Sequence, residues 1–171
     1  PAKKDIDVLI YIKIHWDKER THAELLRPIR DFLTAGGHSS AEITYGAYTN
    51  DDYKSQLSRA KTMIFLSAHE SQGIAYQECL SSGVPIFAWD QGLWLDPVRL
   101  KYGHSVVPAT SVPFFDERCG ARFRDIIEFK KGFGDFFDLA RRDGYSPRDY
   151  VLENLTIEKS TRRMLELHAA I

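Results

Sequence analysis

The sequence predicts an α/β fold: one parallel, doubly wound sheet with helices on both faces. Three observations carry that prediction. Short β-branched and aromatic runs, apolar at nearly every position, recur in the chain, and unbroken apolarity of that length suits strands covered on both faces. Between these runs the apolar positions switch to helical spacing, and glycines stand where helices would end. The length, 171 residues, suits one domain that buries roughly 70% of its unfolded surface without staples.

Residues 7–14, Asp-Val-Leu-Ile-Tyr-Ile-Lys-Ile, form the first expected strand. Ala23, Leu25, Leu26, Ile29, Phe32 and Leu33 then follow helical spacing up to a C-cap at Gly36-Gly37. Pro28 falls inside that pattern and predicts a kink or a late helix start. Residues 42–45 read as a second strand, and Asn50 or Asp51 as the cap of a helix reaching Ala60. Residues 62–66 read as a third strand, 74–82 as a helix closed by Gly83, and 85–88 as a fourth strand, with 105–107 a weaker last one. This alternation builds βαβ units and a Rossmann-like sheet. From Phe114 onward the chain turns aromatic and charged. It reads as a helical C-terminal extension, with helices near 119–130, 134–142 and 157–168 and a short one opening at Ser146-Pro147. Phe129, Phe133, Phe136 and Phe137 have near-helical spacing and read as core, with a docking face as the other reading. No repeat or linker divides residues 1–171.

Charge and cysteine usage exclude several functions. Lys and Arg number 23 against 24 Asp and Glu, a net −1, which removes the argument for nucleic-acid binding by bulk positive charge. Cys79 and Cys119 lack metal-like spacing, so neither a metal site nor a disulfide framework is expected, and a reducing, cytoplasmic compartment is the natural reading. No apolar run is long enough to span a bilayer, and the first residues have no signal-peptide profile. The chain opens on Pro1, which reads as a processed or excised piece.

In sheets of this kind ligands collect beyond the carboxyl ends of the strands. Lys13 lies at the end of the first strand, followed by His15, Asp17, Lys18 and Arg20. Ser67, His69, Glu70, Ser71, Gln72 and Gly73 follow the third and lead into a helix carrying Glu78. Asp90, Gln91 and Gly92 follow the fourth. A glycine at a helix entrance leaves free N–H groups open to an anion. Carboxylates there suit hydrogen bonds from sugar hydroxyls, and Glu78 can take a vicinal pair. His69 has no second histidine one turn on, so the zincin pattern fails, and it reads as structural or as a sugar-hydroxyl contact. Ser67 lacks the flanking glycines of a nucleophile elbow. Trp89 and Trp94 read equally as packing or as stacking platforms.

The run from Ala60 through Ser67-Ala68-His69-Glu70-Ser71-Gln72-Gly73-Ile74, continuing to Glu78 and Gly83-Val84-Pro85, resembles the C-terminal half of retaining GT-B glycosyltransferases. More narrowly it is similar to glycosyltransferase family 4 (group 1), which carries a Glu-x7-Glu motif followed by a Gly-Val-Pro strand entry. The resemblance covers roughly residues 7–110. It implies one half of a GT-B fold and transfer with retention from a UDP-, GDP- or ADP-sugar to a hydroxyl acceptor, with no cofactor or metal required. Residue by residue, it implies that Lys13 and Lys18 neutralise the diphosphate and that Glu78 holds the ribose. Glu70 would contact the transferred sugar, with His69, Ser71, Gln72, Gly73 and Ile74 lining the donor site. It also implies a partner, an N-terminal acceptor-binding half outside these residues, so that the isolated domain transfers little. Peripheral membrane association of the full enzyme fits the resemblance.

The sequence departs from the family at two places. Lys13 stands where arginine is usual, and an ammonium lacks the bidentate fork of a guanidinium. Glu19 stands where a glycine usually follows the second basic residue. Two other readings remain. One is a non-catalytic nucleotide-binding or partner-docking module. The other is a TIR-like signalling domain, against which the Gly83-Val84-Pro85 strand entry and the long C-terminal tail argue.

Overall fold

The computed structural model describes residues 4–103 and 105–169. Five strands, β1 (Ile6–Lys13), β2 (Ser40–Thr44), β3 (Ala60–Ser67), β4 (Ile86–Trp89) and β5 (Gly120–Phe123), form one sheet in the order β2-β1-β3-β4-β5. Every neighbouring pair is parallel. The expected α/β, Rossmann-like doubly wound architecture is therefore the observed one, in one of the two common strand orders of that class.

Alternation along the strands feeds two separate cores. On one face Val8, Ile10 and Ile12 of β1 meet Ile64, Leu66 and Phe87 and the helices α2 (Arg27–Ala35) and α6 (Ile126–Arg141). On the other, Leu9, Tyr11, Met63 and Phe65 pack with residues of α3 (Asn50–Arg59) and α4 (Ile74–Ser81). The phenylalanines of α6 are core: Phe129, Phe133, Phe136 and Phe137 are all buried, and Phe87 stacks on Phe136 at 5.0 Å.

Pro28 acts as expected, though without breaking the helix. A short α1 (Lys18–Thr21) runs into a π-helical segment, His22–Leu26, which passes directly into α2 with Pro28 in its first turn. Proline has no N–H to donate, and the wider turn lies just ahead of it. The cap of α3 is corrected by one residue. It is Thr49, whose hydroxyl accepts from Asp52 N while the Asp52 carboxylate accepts from Thr49 N. This is a reciprocal capping box, and Asn50 is already helical.

The last third departs most from expectation. Residues 105–107 are not a strand: Val106 is exposed and the nearest ladder contact is an isolated antiparallel bridge between Leu93 and Pro108. The fifth strand is β5, inside a segment expected to be helical, so the C-terminal part from Phe114 is not purely helical. Its edge position leaves Arg122 exposed, which weakens the apolar signal to Phe123 and its small neighbours. The two expected helices that follow are one, α6, which runs through Gly132 and Gly134. A short α5 (Pro97–Lys101) lies between β4 and β5, and α7 (Pro147–Asn154) and α8 (Ile157–Ala169) follow α6. Ser146 and Pro147 do open α7, but the serine hydroxyl makes no cap bond.

Two glycines make opposite predictions. Gly120 has φ +137°, and a Cβ there would stand 2.0 Å from the Ile86 carbonyl oxygen. Gly120→Ala is expected to cost about 3 kcal/mol or more in urea unfolding, because backbone cannot yield as a side chain does. Gly134 lies in α6 with nothing near its missing Cβ, so Gly134→Ala is expected to stabilise by about 0.5–1 kcal/mol.

Candidate functional site: a cleft at the switch between β1 and β3

The chain leaves β1 for α2 on one face and β3 for α4 on the other, so a crevice opens between the carboxyl ends of these neighbouring strands. That is where such sheets place ligands. Register sets its centre. Lys13, the last residue of β1, pairs with Ser67, the last of β3. Three residues on, Glu70 turns back onto both. Lys13 Nζ donates to Glu70 Oε1 at 2.7 Å and Oε2 at 2.8 Å, and Ser67 Oγ donates to Oε1 at 2.9 Å. The pair is largely withdrawn from water, with the Glu70 side chain 7% exposed and that of Lys13 18%. Glu70 N donates to Thr110 O, fixing the loop, and Lys13 Nζ also sits 4.8 Å over the Tyr45 ring.

A cleft of about 390 Å³ surrounds this pair. Lys13, Glu70, Ser71, Gln72, Gly73, Ile74 and Glu78 all line it, so the structure brings together seven of the nine residues singled out from sequence. Glu78 projects from α4, and its carboxylate makes no hydrogen bond or ion pair with any described residue. Gly73 is the N-cap of α4 in the left-handed region, and no side chain caps the helix. Its N-terminal N–H groups are therefore open to a ligand. The glycine itself has a second reason. A Cβ at Gly73 would fall 2.1 Å from the Tyr76 ring, so internal packing as well as φ excludes a side chain.

Two expected residues lie elsewhere. Lys18, at the start of α1, lines a neighbouring groove of about 280 Å³ with Lys13, His15, His22, Arg30 and Tyr45. Arg30 there is committed to Glu42 by two 2.6 Å bonds, whereas Lys18 has no ion pair among the described residues. Lys13 and Tyr45 line both recesses, so the acidic cleft and the basic groove are neighbours across these two side chains. His69 lines neither. Its ring lies against Trp16 and Trp94, with centroids 5.5 and 4.9 Å away, and its buried Nδ1 has no partner among the described residues. Burial holds its pKa below the usual histidine range. Its ring packs between the two indoles, in line with the structural one of its two sequence readings. Trp89 also packs, donating Nε1–H to Arg124 O at 2.9 Å. Asp90 staples the loop after β4, accepting from Thr110 Oγ1 at 2.5 Å and Gly92 N at 3.1 Å.

Sequence reasoning missed the tyrosine wall. Tyr11, Tyr45, Tyr48 and Asn50 line the cleft opposite α4, and the Tyr11 and Tyr48 hydroxyls share a 2.8 Å hydrogen bond. Burial raises the Tyr11 pKa, which keeps the phenol neutral. Tyr11 had a local signal, a phenol in an otherwise aliphatic strand next to the strand end. The others come from a loop and a helix start that only the fold brings near. No group of three or more His, Cys, Asp or Glu among the described residues could hold a metal ion, and no described helix is long and apolar enough to cross a membrane. Compared with protein-family models, curated proteins and solved structures, the chain matches none of them.

Two measurements check this site. The depressed His69 pKa means the unfolded state binds more protons once the pH falls below about 6.5, so this contribution is full at neutral pH and lost on acidification. His69→Phe should flatten the fall in stability between pH 7 and pH 5 relative to the parent chain; parallel curves would remove that burial effect. Gly73→Ala should displace Tyr76 and free the Phe114 N–H that its hydroxyl accepts, giving faster amide exchange at Phe114.

Proposed function

We propose that the chain is a nucleotide-sugar-binding domain, the donor half of a retaining glycosyltransferase. The observation that carries this reading is the adjacency of the two recesses: a carboxylate- and tyrosine-lined cleft shares Lys13 and Tyr45 with a groove that carries Lys18, unpaired among the described residues, beside His15, His22 and Arg30. A nucleoside diphosphate sugar has that distribution of chemistry, with hydroxyls and a flat base at one end and concentrated negative charge in the middle. In this reading the Glu78 carboxylate, unpaired among the described residues, accepts from the two ribose hydroxyls. The tyrosine side takes the base, and the diphosphate lies across Lys13 toward Lys18 and His22. The N–H groups at the start of α4 face the same anion. The resemblance of the Glu70–Glu78 segment to the family 4 pattern supports the same assignment.

The Lys13–Glu70 pair gives the reading a specific mechanism. In the free domain the two charges satisfy each other. An arriving diphosphate competes for Lys13, whose ammonium has a third donor to offer, and Glu70 keeps Ser67 while gaining sugar hydroxyls. Lys13 and Lys18 then stabilise the charge that grows on the leaving diphosphate as the bond to the anomeric carbon breaks, which is electrostatic stabilisation by preset groups. The acceptor oxygen bonds to the anomeric carbon on the face the diphosphate leaves, and its proton passes to the departing phosphate oxygen.

One observation favours a second reading, a nucleotide-binding module that docks a partner. α8 carries Ile157, Met164, Leu165 and Leu167 exposed, Ile157 at 88%. The two readings share the cleft and differ in whether a sugar is ever transferred.

Calorimetric titration with UDP, GDP and ADP, each beside its nucleoside, tests the shared part. Saturable binding of at least one diphosphate is expected. Glu78→Ala should remove affinity for both nucleotide and nucleoside while leaving the urea unfolding curve in place. Lys18→Ala should weaken the diphosphate at least tenfold, about 1.4 kcal/mol, and spare the nucleoside. Absence of binding by all three diphosphates would overturn the reading.

A further inference from the structure

A separate cavity of about 270 Å³ opens beside the loop that follows β1, at the carboxyl ends of β1, β3, β4 and β5. Its floor is apolar, built from Ile14, Leu25, Ala68, Trp89 and Ile126. Trp16 forms one wall and is itself backed by the His69 ring. Around the rim stand Thr21, Glu24, Gln91 and Arg124, whose side chains have no hydrogen bond or ion pair among the described residues. The cleft described above shares none of these residues, and the groove shares only Ile14 and His15 with the cavity.

We propose that this cavity binds a single neutral carbohydrate ring. Its volume is that of about nine liquid waters at ~30 Å³ each, the scale of one small ring rather than a nucleotide. Its charges cancel. Arg20 pairs with Asp17 at 3.1 Å, and Asp125 is occupied capping α6 through Ile127 N and Glu128 N. Glu24 and Arg124 remain, one of each sign, so an anion gains no net attraction here. A sugar ring presents an apolar C–H face and a periphery of hydroxyls that both donate and accept. The indoles and aliphatic floor suit the face. The Glu24 carboxylate accepts from hydroxyls, the Arg124 guanidinium donates to them, and the Gln91 amide does both.

This proposal goes beyond the nucleotide reading and does not require it. The test is a two-dimensional NMR titration of the ¹⁵N-labelled chain with D-glucose, D-galactose, D-mannose and N-acetyl-D-glucosamine, following the tryptophan indole signals. At least one sugar should shift the Trp16 and Trp89 indoles saturably, and Trp16→Ala and Glu24→Gln should each weaken that sugar at least tenfold. No saturable shift with any of the sugars, or shifts that persist unchanged in both variants, would overturn it. Should Trp16→Ala not give a native spectrum, the exposed Glu24→Gln decides alone. UDP, GDP and ADP added to the same labelled chain report separately at the Tyr45 and Glu78 amides, so failure of one proposal is distinguishable from failure of the other.

Discussion

The ion pair between Lys13 and Glu70 ties together the two strands at which the chain changes face. Withdrawing two charges from water costs several kcal/mol for each ion, and their attraction offsets this only in good geometry with the remaining valences filled. Here both carboxylate oxygens receive Lys13, and Ser67 fills a further valence of Oε1. That geometry exists only if β1 and β3 pair in the observed register, with Lys13 opposite Ser67. Because side chains alternate along a strand, a slip of one residue would send Lys13 to the other face of the sheet and leave Glu70 buried without a counter-charge. The crevice, the helix entry at Gly73 and the start of α4 are all placed relative to this contact.

Much of this was legible in the sequence, and the limits have physical causes. β1, β3 and β4 are covered on both faces, so their apolar runs stood out. β5 is an edge strand with an exposed arginine and a glycine pressed against the β4 backbone, and local pattern treated it as part of a helix. Glu70, Gly73 and Glu78 were found because they share one short loop–helix segment. The Lys13–Glu70 contact was not, since it depends on strand register across distant residues. Lys13 and Glu70 were therefore assigned to opposite parts of a ligand, whereas in the free chain they hold each other. His69 is a further case: its type and position beside Glu70 fit either a structural role or a ligand contact, and only three-dimensional packing reveals two indoles around its ring.

One short loop organises the carboxyl edge of the sheet. Lys13 borders both the cleft and the basic groove, His15 borders the groove and the third cavity, and Trp16 lines that cavity while resting on His69. Successive side chains leave the end of β1 in different directions and so meet different recesses. Asp17, which ends this stretch, takes a left-handed conformation at φ 46°, one that aspartate tolerates better than most residues. The turn it makes starts the helical run that walls both the groove and the cavity.

The sheet also divides the molecule energetically. Adjacent residues of β1 such as Val8 and Leu9 belong to different cores, and a full sheet thickness separates the phenylalanine cluster of α6 from the tyrosine and cysteine packing around α4. Substitutions on opposite faces share few partners and should combine additively, whereas those within one face should couple. The face beneath α6 is thus free to be repacked without disturbing the wall that supports Glu78. Packing beneath α6 and recognition in the cleft beside Glu78 can therefore be adjusted as nearly independent properties.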